Sequence, residues 1–151
     1  MVVGTGPDEA RLRKLAEELN VRDSVIFAGV LSDDEVAEAY ATSTVYAGLS
    51  RTDKSIDAEG FGISFLEASA SGIPIVAGDS GGVRSAVRDG ESGLIVPPED
   101  VNTVAAALRA YLSNSSRRER TGKTGRSLVE TYYNWDRVIR DLRDIESQVS
   151  S

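Results

Sequence analysis

The amino-acid sequence predicts an α/β fold in which helices flank a parallel sheet. Three features of its 151 residues support this prediction. Short apolar runs alternate with longer amphipathic segments along the chain. These runs are continuously apolar rather than alternating, which is typical of strands buried on both faces of a parallel sheet. Most of the runs end on glycine or proline, which favours a tight turn into the next element.

The first half of the chain contains three predicted strands, each followed by a predicted helix. The β-branched "MVVG" predicts a strand that stops at Gly4, and "PDEARLRKLAEELN" predicts a helix because leucines recur at helical spacing after Pro7. "SVIFAG" and "TVYAGLS" predict the next strands. Between them, Ser32 followed by Glu35 predicts a capping box at the start of "SDDEVAEAYATS". A polar loop then leads into a helix over residues 62–71.

The second half continues the alternation and ends in helices. "IPIVAG" and "GLIVPP" predict strands, and "GGVRSAVRDG" between them predicts a short helix. Asp100 is the expected N-cap of "DVNTVAAALRAYLSN", and the chain from Ser115 onward is predicted helical with a break near "YYNWD". "TGKTG" resembles the tail of a phosphate loop, but Arg117 stands where the first glycine belongs and no strand precedes it. We interpret it as solvated helix surface.

Composition excludes several classes of function. The sequence contains no cysteine and no histidine, which excludes disulfides, thiol nucleophiles, serine–histidine–aspartate triads and imidazole-bound zinc. A net charge of −7 argues against a nucleic-acid-binding surface, which requires clustered basic residues. No apolar run reaches the roughly 20 residues of a membrane span, and no secretory leader is evident. The expected location is therefore the cytoplasm, or the periphery of a membrane.

Candidate ligand sites lie in the loops that follow the strands. Right-handed crossovers bring these loops to one edge of a parallel sheet, where ligands bind. The qualifying loops are residues 4–7, 29–33, 50–62 and 79–82. In the first loop, "GTGPDE" supplies Gly4 and Gly6 and begins like a dinucleotide fingerprint, but it lacks the third glycine. A tight turn is the simpler interpretation of that stretch.

The stretch "EGFG" indicates a ligand site more strongly. It leads into a helix, whose N-terminus offers unpaired N–H groups and partial positive charge that favour phosphate. Gly60 and Gly62 allow a ligand to approach the backbone. Glu59 lies just before this helix start, and Glu67 lies about one turn inside it on the face shared with Ile63. A carboxylate in this place suits a pair of hydroxyls on a ribose or another sugar.

The partner of Glu67 has more than one possible identity. The residue follows two apolar positions, so we expect it on the inner face of its helix, where a carboxylate needs a polar partner. One alternative is that Glu67 pairs with a basic residue such as Arg84 and that Glu59 only caps the helix. A second glycine turn at Gly81 and Gly82 favours a ligand, because two neighbouring turns around one crevice suit a diphosphate.

These residues carry a resemblance to a known family. "EGFGISFLE" resembles the Glu-x7-Glu motif of glycosyltransferase family 4, which comprises retaining enzymes with the GT-B fold. "VVGTGP", "VIFAGVLSDDEV", "ASGIPIVAGDSGGV", "DGESGLIVPPED" and "YYNW" occur in the family's order and at its spacing, so the resemblance covers nearly the whole chain. "SRTDKSIDAEGFGISFLEA" is most similar to the phosphatidylinositol mannosyltransferases.

The resemblance implies a Rossmann-like donor-binding domain, which is the C-terminal half of the GT-B fold. It implies that Glu59 is the catalytic residue that meets the transferred sugar, that Glu67 holds the ribose hydroxyls, and that Val30 and Leu31 lie near the base. The residues expected to bind the donor are Glu67, Gly60, Phe61, Gly62, Ile63, Gly4, Gly6, Val30, Leu31, Gly81 and Gly82. Members of the family need no metal, so we expect neither a metal nor a cofactor.

The chain departs from the family's pattern in two places. Family members usually have Gly-Gly-x-Pro-Glu where this chain has Gly81-Gly82-Val83-Arg84-Ser85, which changes one edge of the expected pocket. Family members also carry a further strand and helix before "VVGTGP", which hold the basic ligands of the diphosphate, and an acceptor-binding domain before these. This chain begins at Met1, and we expect both parts to be missing from it.

We therefore interpret residues 1–133 as a partial nucleotide-sugar-binding domain and residues 134–151 as a C-terminal helix that would cross to the missing acceptor domain. The implied function is transfer of a hexosyl group, first of all mannosyl, from GDP-mannose or another nucleoside diphosphate sugar to a lipid or saccharide acceptor. We expect this chain to be inactive alone.

Two other functions stay open: a non-catalytic nucleotide-sugar-binding module, and one subunit of a split enzyme. A carboxylate-pair glycosidase is disfavoured because it needs no diphosphate pocket. The expected partners are the donor and the acceptor domain or its separate chain, and not nucleic acid. Any membrane contact would be made through the acceptor domain.

Overall fold

The computed structural model describes residues 1–51 and 60–149, in two compact units that comprise Met1–Ala39 and Tyr40–Ser151. The elements follow the predicted order of strands and helices. They are β1 (Val2–Val3), α1 (Glu9–Glu18), β2 (Phe27–Gly29), α2 (Asp33–Thr42), β3 (Tyr46–Gly48), α3 (Ile63–Ala70), β4 (Ile75–Gly78), α4 (Val83–Ala86), β5 (Gly93–Val96), α5 (Val101–Leu112), α6 (Ser115–Thr131) and α7 (Trp135–Val149). The predicted α/β class is confirmed, with strands shorter than the apolar runs that predicted them.

The first unit is built on a parallel pair of strands. β1 pairs with β2, with Val2 opposite Phe27. A short 3-10 helix over Arg22–Ser24, which the sequence analysis did not predict, separates α1 from β2. The predicted capping box begins α2: the Ser32 amide donates to the Glu35 carboxylate at 2.8 Å, and the Glu35 amide donates back to the Ser32 hydroxyl at 3.4 Å.

The second unit is built on a separate parallel sheet with the strand order β3-β4-β5. Each residue of β4 is buried. Ile75 and Ala77 pack with Phe65 of α3 and Val83 of α4, whereas Val76 packs on the opposite face with residues of α5. The central strand is therefore covered on both faces, which confirms the interpretation of its continuous apolar run.

Helix α5 begins where the sequence predicted. The Asp100 side chain accepts hydrogen bonds from the amides of Asn102 at 3.0 Å and Thr103 at 3.2 Å. The Thr103 hydroxyl donates to the second oxygen of the same carboxylate at 2.6 Å. These bonds to the ionised form hold the pKa of Asp100 below its ordinary value.

Helix α6 packs closely on α3, and this contact corrects one prediction. "TGKTG" is not wholly solvated surface, because Thr121, Gly122 and Gly125 are buried. A Cβ on Gly122 would overlap the carbonyl oxygen of Gly72, at the end of α3. The stretch is therefore glycine-rich so that two helix backbones can approach, and only Lys123 of its five residues is exposed.

The predicted helix break is confirmed at residues 132–134, and α7 follows it. Helix α7 carries an apolar stripe at helical spacing, which is exposed at Ile139, Leu142 and Ile145. Trp135 at the start of the helix is 79% exposed. The predicted division of the chain between residues 133 and 134 stays a prediction, as does the crossing of this helix to another domain.

Replacing Gly122 with alanine tests the packing of α6 on α3. The added Cβ would overlap the Gly72 carbonyl, so we expect the free energy of unfolding to fall by about 1–3 kcal/mol, even though alanine is the better helix former. Gly125→Ala is the matched control in the same helix, because its nearest neighbour would be the Ser69 Oγ at 3.3 Å. Equal urea midpoints for the two variants would contradict this packing.

Candidate functional site

The site begins at the N-terminus of α3. Gly62 precedes the helix with φ of 82°, a backbone conformation that favours glycine. Among the described residues no side chain caps this end of the helix. The first N–H of the helix to find a partner is that of Phe65, which donates to the carbonyl of Gly62 at 3.0 Å. The amides of the first turn are therefore available to an anion. Ile63, which leads this turn, is 68% exposed.

A second glycine turn touches the first one. Ser80, Gly81 and Gly82 follow β4, and a Cβ on Gly82 would overlap the carbonyl oxygen of Gly60. Gly81 has φ of 53°, again in the region that glycine favours. The two turns are thus in backbone contact, and the second of them follows the carboxyl end of β4.

Ser80 brings an unsatisfied hydroxyl to this region. Its side chain is buried at 5% exposure, and its Oγ has no hydrogen-bond partner within residues 1–51 and 60–149. A buried hydroxyl without a partner is uncommon in folded proteins. The second turn therefore carries a polar group in addition to its backbone amides.

Glu67 does not lie where the sequence suggested. It was expected on the inner face of α3, but it is exposed and shares the outer face with Ile63. The inner positions of the helix are those of Phe65 and Ala68. Its polar partner is the hydroxyl of Tyr40, which donates to Glu67 Oε2 at 3.1 Å and to the carbonyl of Ser64 at 3.4 Å. Pairing of Glu67 with Arg84 is excluded, because that arginine is engaged elsewhere.

Arg84 forms a two-pronged ion pair with Asp79. Its Nε donates to Asp79 Oδ1 at 3.1 Å and its Nη2 donates to Oδ2 at 2.7 Å. The two residues flank the Ser80–Gly82 turn. The pair braces that turn from outside, and because both side chains are exposed to solvent it contributes little to the stability of the fold.

Tyr40 is a residue that sequence reasoning missed. Its ring stands edge-on to Tyr46 of β3 at 5.6 Å, and Tyr46 in turn stands edge-on to Phe65 at 5.8 Å. Burial raises the pKa of Tyr40 well above its ordinary value, and Tyr46 and Glu67 raise it further. The hydroxyl therefore stays a donor toward Glu67. No local pattern in "EAYATS" could have indicated this contact over 27 positions.

Four predicted site residues lie in the first unit, which is described by itself. Gly4 has φ of 103° and its amide donates to Gly29 at 2.7 Å, while Gly6 lies in the same turn. Val30 is 79% exposed and Leu31 is half-buried. A cleft of about 310 Å³ lies here; its lining residues are Val2, Val3, Gly4, Thr5, Gly6, Pro7, Asp8, Glu9, Leu12 and Phe27.

Glu59, the expected catalytic residue, lies outside the described residues. Within the described ranges, no cluster of three or more acidic side chains could hold a metal ion. In the same ranges no helix combines the length and the apolarity that crossing a membrane requires.

Comparison with known proteins places the chain in one family, and the similar proteins are also glycosyltransferases. Residues 1–128 match the family model described as "Glycosyl transferases group 1". A GDP-mannose-dependent alpha-(1-6)-phosphatidylinositol monomannoside mannosyltransferase of Mycobacterium tuberculosis is 39% identical over 145 residues, which make up 95% of this chain and 38% of that enzyme. The chain therefore spans well under half the length of this relative.

Solved structures share the fold. Sucrose-phosphate synthase from Thermosynechococcus elongatus superposes with a TM-score of 0.81 at 29% identity, over 97% of this chain and 37% of that one. The C-terminal domain of a glycosyl transferase group 1 family protein from Francisella tularensis superposes with a TM-score of 0.75 at 26% identity, over 87% of this chain and 66% of that one.

Removing the Tyr40 hydroxyl tests its contact with Glu67. We expect Tyr40→Phe to lower the free energy of unfolding at neutral pH by about 0.5–1.5 kcal/mol, because its hydrogen bonds are lost. The pKa of Tyr40 in the folded chain is raised above 10.0, so the stability that its hydroxyl contributes is present below that pH and is lost as the pH rises further. The difference between wild type and variant should shrink in alkaline urea titrations; a constant difference would contradict the contact.

Proposed function

Because this chain belongs to the group 1 glycosyltransferases, we propose that it is part of the donor-binding half of an enzyme that transfers a hexosyl group, first of all mannosyl, from a nucleoside diphosphate sugar. The predicted family is confirmed, and so is the predicted likeness to the C-terminal half of the GT-B fold. The family is enzymatic. The activity of the whole protein, its acceptor and its partners remain part of the proposal, since the chain spans about 38% of its relative.

The contact between the two glycine turns is the observation that carries the proposal. Beyond the end of β4, Gly82 meets the carbonyl of Gly60 with no side chain between them. Helix α3 begins three residues after Gly60, and no side chain of the described residues caps it. Backbone amides around such a junction can bind several phosphate oxygens at once, and the partial positive charge of the α3 N-terminus favours them. A diphosphate is a ligand of suitable size and charge.

Glu67 lies near these amides, where a ribose attached to the diphosphate would be expected. It lies one helical turn beyond the amides, on the exposed face that Ile63 shares. The Tyr40 hydroxyl occupies one of its oxygens, which fixes the carboxylate and leaves the other oxygen for a ligand hydroxyl. This supports the proposal that Glu67 binds the ribose diol.

The name of the similar mannosyltransferase suggests which donor and which acceptor class to test. The mannosyltransferase of M. tuberculosis is named for GDP-mannose and for a phosphatidylinositol monomannoside. We propose GDP-mannose as the first donor to test and a lipid-linked sugar as the acceptor class. Glu59 would face the transferred sugar, transfer would retain configuration without a metal, and the protein would be cytoplasmic or peripheral at a membrane.

Glu67→Ala tests the ribose site. Loss of a charged hydrogen-bond partner costs about 1.5–3 kcal/mol, so we expect the affinity for GDP and for GDP-mannose to fall by roughly 10- to 150-fold in calorimetric titrations. Glu119→Ala is the matched control, because Glu119 is an exposed glutamate on α6. Unchanged affinities in Glu67→Ala would remove the ribose assignment, and a wild-type chain that binds neither nucleotide would remove the proposed function.

Glu59→Ala separates sugar recognition from nucleotide recognition. In the full-length protein we expect it to abolish mannosyl transfer, because Glu59 would contact only the transferred sugar. Calorimetry should show an affinity for GDP close to that of the wild type. A large loss of GDP affinity would instead place this carboxylate at the nucleotide.

A further inference from the structure

Tyr133 contacts Phe61 in the first glycine turn and Ser85 in α4, which follows the second turn, although it lies 48 residues beyond Ser85 in the sequence. Its hydroxyl donates to the carbonyl of Ser85 in α4 at 2.6 Å. Its ring stands edge-on to Phe61 with centroids 6.2 Å apart and an interplanar angle of 62°. Phe61 lies between Gly60 and Gly62, and α4 directly follows Gly82. One side chain thus contacts the segments on either side of the turn contact.

The hydrogen bond from Tyr133 to Ser85 pairs a carbonyl that α4 cannot pair by itself. This helix has only four residues, and the last carbonyls of any helix have no intrahelical partner. The Tyr133 hydroxyl satisfies one of them, at Ser85. Since α4 is too short to be held by its own hydrogen bonds, this contact helps to fix its direction and that of the turn before it.

The backbone around Tyr133 is itself well held. Its amide donates to Leu128 at 3.2 Å, so the residue is tied to the end of α6. The preceding Tyr132 stacks edge-on against it at 5.0 Å. The Tyr132 ring also lies under the guanidinium of Arg137 at 4.2 Å and that of Arg88 at 5.6 Å. Contacts outside the turns therefore hold Tyr133 in place, so that it can in turn restrain Phe61 and Ser85.

We infer that Tyr133 is a positioning residue for the anion-binding turns: it holds Phe61 and Ser85 so that the Gly60 and Gly82 turns keep the mutual placement that a diphosphate requires. The inference rests on the proposed function for the identity of the ligand. The turns meet at the backbones of Gly82 and Gly60, so contacts from outside help to set their relative placement. Tyr133 supplies one such contact to Phe61 in the first turn and one to Ser85 in α4, directly after the second turn.

Two variants separate its two contacts. Tyr133→Phe removes the hydroxyl and keeps the ring against Phe61, whereas Tyr133→Leu removes both. Tyr132→Phe is the matched control: the neighbouring residue is also a tyrosine, and its hydroxyl makes no hydrogen bond within the described ranges. The measurements are hydrogen exchange of the unliganded chain, resolved for residues 60–66 and 82–88, and calorimetric titration with GDP.

We expect Tyr133→Phe to speed exchange in residues 82–88 while residues 60–66 change little. Tyr133→Leu should speed exchange in both segments. The GDP affinity should fall roughly two- to tenfold in Tyr133→Phe, the range expected for one hydrogen bond, and further in Tyr133→Leu. Tyr132→Phe should match wild type in both measurements.

Other results of these two measurements would overturn either the role of Tyr133 or the proposed function. Exchange in Tyr133→Phe that matches Tyr132→Phe would overturn it, and so would faster exchange with unchanged GDP affinity. If the wild-type chain binds no GDP, the proposed function fails, and the exchange data alone decide whether Tyr133 holds the turns. If Tyr133→Leu does not fold, Tyr133→Phe carries the test, because it preserves the ring packing.

Discussion

The contact between Gly82 and the carbonyl of Gly60 is the constraint on which the site depends. A side chain at Gly82 would overlap the carbonyl of Gly60, so the loop that follows β4 must carry glycine at this point. β4 directs one of them, because it is buried on both faces and cannot move without disrupting two apolar clusters. The close approach brings the second turn against the segment that leads into α3, which a side chain at Gly82 would prevent.

In the described part of the site, backbone amides rather than cationic side chains are the groups that face an anion, and the nearby charges explain why. Arg84 stands beside the second turn, but Asp79 engages it through both carboxylate oxygens. The pair offers no net positive charge. The partial charge at the start of α3 acts over only its first turn, and Glu67 lies beyond that turn. Glu67 therefore stands one helical turn away from the amides that would face a diphosphate.

Local patterns predicted the elements well, and tertiary contacts account for what they missed. The capping box at Ser32 and the cap at Asp100 follow from residues within one turn of each other, so sequence spacing is sufficient. Glu67 was misplaced because its two apolar predecessors suggested an inner face, whereas helical geometry turns it outward. The buried glycines of α6 and the role of Tyr40 depend on partners far along the chain, which no spacing rule reveals.

Helix α7 is connected to the candidate site through Tyr132 and Tyr133. α7 begins two residues after Tyr133, and Arg137 in its first turn donates to the carbonyl of Tyr132 and stacks on that ring. Displacement of α7 would therefore act first on Tyr132 and Tyr133, and through them on Phe61 and Ser85. Helix α7 is consequently connected to Phe61 and Ser85 by a short series of side-chain contacts through Tyr132 and Tyr133.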